Sequence, residues 1–148
     1  MLAGSTYMRD AAFQSSVYYG YASLSSRCRE HADFSHCVYF SDMDMYDSQY
    51  RGYTDFTHCV YYGNANFGAS SYEGTVSFSG STYLSEAVFR GSVYRCAAAF
   101  NDSAYRYWVD LRGSTYQGAA DFGGSTYQYW ADFRGSTYRW WAYFNDSI

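Results

Sequence analysis

The tetrapeptide Gly-Ser-Thr-Tyr begins at residues 4, 80, 113, 124 and 135, and the last three copies lie 11 residues apart. Carrying that frame backwards divides the chain into thirteen tandem units, beginning at 4, 15, 25, 36, 47, 58, 69, 80, 91, 102, 113, 124 and 135. One unit, 15–24, is a residue short. A unit of this size cannot bury its own side chains, so the chain must fold by stacking neighbours in register. Residues 1–148 therefore read as a single repeat domain.

Four columns carry the pattern. The second position is Ser, except for Cys37 and Cys59; the fourth is Tyr in twelve units and Cys28 in the other. The eighth is mostly Ala, with Met43, Thr54, Val76 and Val109 as variants, and the tenth is Phe in ten units, otherwise Leu24, Met45 or Leu111. These positions share parity, so on an extended chain they point to one face. Period two with Tyr, Phe, Thr and Val reads as strand. Unit boundaries such as Arg90-Gly91, Asn101-Asp102 and Gly123-Gly124 read as tight corners. The expected fold is all-β, with no helix.

Composition follows from the columns. There are 20 Tyr and 11 Phe, whereas Pro is absent and all ten basic residues are Arg. The aromatic content and small net charge of −4 exclude a disordered chain. No apolar run approaches a membrane span, and no basic face suits nucleic acid. The start, MLAGSTYMRDAAF, lacks the charged and apolar regions of a secretory signal. Compartment is left open, with an extracellular setting preferred.

Three stacking schemes fit thirteen units: a β-solenoid with 22 residues per coil, one with 11, or an antiparallel meander. HCVY at 36 and 58, YWVDLRG at 107 answered by YWADFRG at 129, and Arg90, Arg112 and Arg134 at alternate unit ends all recur at 22. Two units per coil is therefore favoured, giving a rod roughly 30 Å long at about 4.8 Å per coil. Tyr would stack on Tyr and Phe on Phe. The Ser column, two residues before Tyr on the same face, is the expected partner of the buried hydroxyls. Tyr→Phe is expected to be tolerated near the ends, and Tyr→Ala in the middle to unfold the rod.

Ala131-Asp132-Phe133-Arg134-Gly135 and Ala120-Asp121-Phe122-Gly123-Gly124 resemble the unit of the pentapeptide-repeat family, with Ser136-Thr137-Tyr138 supplying the following side. The resemblance implies a right-handed, four-sided β-helix, each 22-residue coil being a square of 5+6+5+6. The extra residue per unit and the Tyr in half of the central positions depart from that family.

Candidate sites are few. Cys37 and Cys59, one 22-residue coil apart, come within disulfide range; stacked thiols standing in for Ser are the preferred reading. His36-Cys37 and His58-Cys59 contain zinc-type ligands, yet adjacent strand residues face opposite ways, so no metal is assigned. His31 reads as a surface residue. Asp132–Arg134 and similar neighbours read as surface ion pairs. Trp108, Trp130, Trp140 and Trp141 fall in the last four units as a candidate contact surface for carbohydrate or protein, with Trp108 and Trp130 expected to stack outward as an exposed apolar stripe. There is no nucleophile elbow, phosphate loop or dinucleotide fingerprint, so no catalytic residue and no cofactor are assigned.

These features point to a structural, self-associating repeat protein rather than an enzyme. The pattern runs to both ends without Pro or Lys to blunt the strand edges, and open head-to-tail stacking gives a filament. Two alternatives remain. Some pentapeptide-repeat proteins mimic DNA and shield DNA gyrase, which the resemblance extends to this chain as a protein-binding module. A Thr column at Thr115, Thr126 and Thr137 is the alternative signature of an ice-binding face.

Overall fold

The computed structural model describes residues 4–148, which form a β-solenoid of short parallel strands with no helix among them. Nearly every strand is two residues long, and the strands gather into four sheets. With units counted from residue 4, the odd units supply two sheets. Their third and fourth positions form sheet A, from Ser5–Tyr7 to Thr137–Tyr138, and their eighth and ninth form sheet B, from Ala11–Ala12 to Ala142–Tyr143. The even units supply sheet C, from Val17–Tyr18 to Thr126–Tyr127, and sheet D, from Ala22–Ser23 to Ala131–Asp132. Each coil thus has four sides.

Partners such as Thr54 and Val76, or Tyr61 and Tyr83, are 22 residues apart and parallel. The 11-residue coil and the antiparallel meander are excluded. The short unit makes the one local exception: Ser5 pairs with Ser26, and Val17 with Val38, at a spacing of 21. The missing residue is taken from the corner after Leu24, so the inward columns keep their phase.

Corners explain the polar residues of the repeat. The first residue of a unit is left-handed: Gly at six positions with φ of 65–75°, and Ser15, His36, Asp47, His58, Ala69, Asp102 and Asp146 with φ of 54–58°. Gly reaches this region without strain, whereas other residues give up about 1–2 kcal/mol. Ser25, after the short unit, is the unit start that escapes it. Just before the corner, the ninth-position side chain accepts a hydrogen bond from the amide two residues on. Asp33 does so from Ser35, Asp55 from Thr57 and Asp121 from Gly123, at 2.8–2.9 Å. This Asx turn is why Asp recurs at that position.

The Ser column has a different partner from the one expected. Ser81 Oγ donates to the Phe56 carbonyl at 2.9 Å and accepts from the Cys59 amide at 3.1 Å. Ser70, Ser103 and Ser114 repeat the bridge to Met45, Phe78 and Phe89. Phe56 and Cys59 flank one corner of the same coil, where this carbonyl and this amide find no main-chain partner, and a hydroxyl from the next coil satisfies both. Consequently the hydroxyls of Tyr39, Tyr61, Tyr72, Tyr83, Tyr94 and Tyr116 are buried without a hydrogen bond. Among the described tyrosines of this column, Tyr50 finds a Ser hydroxyl at 3.1 Å, but it is Ser26 of the neighbouring coil and not Ser48, two residues before it.

The core consists of ring ladders. Tyr61, Tyr83 and Tyr105 stack at 4.8 Å with planes within 5°. Phe56, Phe78 and Phe100 stack at 5.0 Å, and so do Phe67 and Phe89. The two Phe ladders meet edge to face in the centre, Phe67 lying 5.0 Å from Phe78 at 75°. Each such pair adds about 0.5–1.5 kcal/mol beyond burial.

Removing a whole ring from the middle of a ladder leaves a cavity that neighbours fixed by the backbone register cannot fill. Tyr94→Ala should cost about 3–5 kcal/mol, read from the urea midpoint; an unchanged midpoint would contradict the ladder. Tyr83→Phe removes an unpaired buried hydroxyl and should instead stabilise by about 1 kcal/mol. Tyr50→Phe, which breaks a real bond, should not.

Alkaline behaviour follows from the same burial. Desolvation, with neighbouring phenols adding to it, lifts the hydroxyls of Tyr61, Tyr72, Tyr83 and Tyr105 well above the ordinary value. Tyr127 and Tyr138, nearer one end, are pushed up to about 12. The unfolded chain loses these protons first, so the contribution of these tyrosines to stability is level below pH about 10 and is lost as pH rises beyond it. Phenolate absorbance should show the buried tyrosines ionising together with loss of the β-sheet circular dichroism signal. Ionisation of all tyrosines with the fold intact would refute this.

Candidate functional site

The coil geometry decides which of the four Trp meet. Trp108 and Trp130 are seventh residues of even units, so both project from the corner between sheets C and D, one coil apart. Trp140 and Trp141 belong to an odd unit and sit at the opposite corner, between sheets A and B, beside Arg139. Trp108 and Trp130 thus share one corner, and Trp140 and Trp141 form a separate group at the other.

Trp108 and Trp130 wall a cleft of about 690 Å³, with Val109, Ala131 and Phe133 at its base. No ring contact joins the two indoles. Trp108 meets Tyr107 edge-on at 6.3 Å, and Tyr107 leans on Tyr129 at 5.4 Å. Trp130 remains 78% exposed and Trp108 44%, so indole surface is open to a ligand.

The polar side of the cleft is internally matched. Arg112 donates to Asp110 through Nε at 2.8 Å and through its terminal nitrogen at 2.7 Å, and Arg134 grips Asp132 in the same way at 2.9 and 2.6 Å. Arg112 also reaches Asp132 at 3.7 Å, and Arg90 reaches Asp110 at 3.8 Å, linking the coils in an alternating ladder of charge. Burial pushes Asp110 upward, but the hydrogen bonds and charge of Arg112, with Arg90, outweigh it and the net shift is downward. The Arg134 guanidinium beside Asp132 holds that carboxyl at about 2. Both acids stay ionised and occupied, so the cleft offers aromatic surface rather than a free acid or base.

Cys37 and Cys59 are both buried and free of any disulfide. Each thiol takes over the Ser bridge: Cys37 Sγ donates to the Phe13 carbonyl and Cys59 Sγ to the Phe34 carbonyl, both at 3.1 Å. The neighbouring Cys37 thiol, followed by burial, raises the Cys59 thiol above its ordinary value. His36 and His58 lie outside at the corner, stacked at 5.0 Å, while the adjacent thiols are buried inside. Among the described residues, no three His, Cys, Asp or Glu side chains converge as a metal site. His31 is exposed, meeting only the rim of Tyr53. No described helix is long and apolar enough to cross a membrane.

The repeat pattern hid one exposed feature. Tyr19, Phe40 and Tyr62, fifth residues of even units, stack on the outside of the rod at 5.3 and 4.9 Å. In the odd units the same position holds Arg29, Arg51 and Arg95. The signal was available by reading alternate units separately.

Comparison of the chain with protein-family models, with characterised proteins and with solved structures gives no match. The thiol assignment can be checked directly. Cys59→Ser should keep the carbonyl bridge and shift stability by less than about 1 kcal/mol, whereas Cys59→Ala should cost about 1–3 kcal/mol. Equal losses in urea unfolding would show that the bridge is not what the column supplies.

Proposed function

We propose that the chain is a structural repeat protein whose rods associate end to end. The observation that carries this is the state of the ladders at the two ends of the described chain. In the middle, rings such as Tyr72, Phe78 and Phe89 are wholly buried, whereas Phe144 is 44% exposed. Tyr7, Phe13 and Tyr18 at one end, and Tyr127, Phe133 and Tyr138 at the other, are only partly covered. A further coil in the same register would bury them, and a second copy carries such a coil. Head-to-tail contact of this kind does not close on itself and yields a filament.

The two alternatives draw less support. A DNA mimic needs free acidic charge, but Asp33, Asp55 and Asp121 direct carboxylate oxygens at turn amides, and Asp110 and Asp132 are held by Arg. An ice-binding Thr face needs its column on one side. Thr115 and Thr137 adjoin on sheet A, whereas Thr126 lies on sheet C.

Negative-stain microscopy and sedimentation of the purified chain test the proposal. Filaments about one rod wide are expected, and Phe144→Arg, which puts a charge on the exposed terminal ring, should reduce them to short particles while leaving the fold intact. Single rods at every concentration would overturn it.

A further inference from the structure

The Tyr-bearing faces of the rod, sheets A and C, are alike inside and unlike outside, and we propose that sheet C pairs side by side, in parallel, with sheet C of a second copy of this chain. This contact is separate from end-to-end stacking. The outward columns of sheet C are the first, third and fifth positions of even units. Across all three, the only Asp, Glu, Lys or Arg are Asp102 and Arg106. The third column begins Val17, Val38, Val60 and the fifth Tyr19, Phe40, Tyr62. Of these, Val17 is 49% exposed, Tyr19 80%, Phe40 46% and Tyr62 49%. The corresponding columns of sheet A carry Arg27, Arg29, Arg51, Glu73, Arg95 and Arg139.

The occupant is argued from charge. When two such faces meet about a twofold axis running along the rods, each third-position residue meets its own counterpart, and the first column meets the partner's fifth. Asp102 then faces the partner's Arg106, and Arg106 faces the partner's Asp102, so the two charges on the face form two intermolecular pairs. His36 faces the partner's Phe40, His58 the partner's Tyr62, and Gly80 the partner's Leu84. Sliding by one coil, or reversing one rod, leaves Asp102 and Arg106 without opposite charges at a closed interface, which is strongly unfavourable. The charges therefore fix both direction and register.

Shape agrees. The first column stacks at His36–His58, 5.0 Å, and the fifth at Tyr19–Phe40–Tyr62, 5.3 and 4.9 Å, so both ladders are ordered before contact and little side-chain entropy is lost. The stacked rings show their edges outward, which suits edge-to-edge contact with another ladder at the same height better than a flat sugar lying on ring faces. Six coils at about 4.8 Å and a width of four residues at about 3.3 Å give a footprint of roughly 380 Å² per copy. Both copies together bury only about 760 Å², below what a stable dimer needs, so pairing is weak, reversible and rises with concentration.

The test uses the Phe144→Arg chain, so that mass reports lateral pairing alone and a failure of end stacking is read separately. Sedimentation equilibrium at up to sub-millimolar concentration should show a species of twice the 17.0 kDa chain mass. Val60→Arg and Tyr62→Arg should return it to one chain. Both should fold, because Arg27 and Arg51 already occupy those columns on sheet A, and circular dichroism checks this. Arg106→Glu, which sets like charges face to face, should weaken pairing by about tenfold or more. Direction is read by Val60→Cys in a Cys96→Ser background: parallel pairing puts Val60 against itself and gives an oxidised, cross-linked dimer. A folded chain that stays single, a Val60→Arg variant that pairs like the parent, or a Val60→Cys variant that does not cross-link would overturn the proposal.

Discussion

The whole rod depends on main-chain hydrogen bonding between coils that offer only two strand residues per side. Strands so short leave more amides and carbonyls outside the sheets than within them, and buried ones must be satisfied. The chain solves this with main-chain bonds that continue past the strands, such as Phe56 to Ser77 and His58 to Ser79. Where backbone cannot reach backbone, a side chain fills in: Ser between coils, and Asp within the turn. Two columns of the repeat are thus backbone chemistry carried by side chains. This is why Ser can be replaced by Cys, the other short donor, at Cys37 and Cys59.

That solution sets the terms for the core. Because the Ser hydroxyl is committed to a carbonyl, the neighbouring Tyr hydroxyl goes without, at a cost of about 1–3 kcal/mol. Burying the ring outweighs this: an aromatic side chain removes roughly 150–250 Å² from water, worth about 4–6 kcal/mol at 25 cal/mol/Å² before stacking is added. A tyrosine ladder is therefore stable despite its unpaired oxygens. The packing gives no reason why the ring should be a phenol rather than a phenyl.

Much of this was legible in the residues themselves. The 11-residue frame identified every inward column, and recurrence at 22 of features such as HCVY and the Arg ending alternate units chose the coil. What misled was local adjacency. Ser and Tyr two residues apart on one face suggest a pair, but the carbonyl 25 residues before the Ser, which can be found only by folding the coil, is the nearer claim on the hydroxyl. The Trp residues are sorted by parity: the 22-residue coil already sets Trp108 over Trp130, and Trp140 and Trp141, in an odd unit, face the opposite corner. The fifth position, averaged over all units, looks like a mixed polar column. Separated by parity, it is an aromatic ladder on one side and an arginine row on the other.

This separation has a physical consequence for how such a rod acquires specificity. Inward columns are tied to the coil, and one change there disturbs the ladders above and below. Outward columns contribute little to folding, so odd and even faces are free to differ while the core stays uniform. Arg51 pairs with Glu73 at 3.7 Å across adjacent coils of the odd face, where charge remains hydrated. Arg106, in the matching column of the even face, has no ion pair among the described residues and sits beyond a run of aromatic rings. A charge at the end of an apolar ladder adds little to a solitary rod. Against a second such face it distinguishes one register from its neighbours, because every misaligned arrangement must desolvate it unpaired.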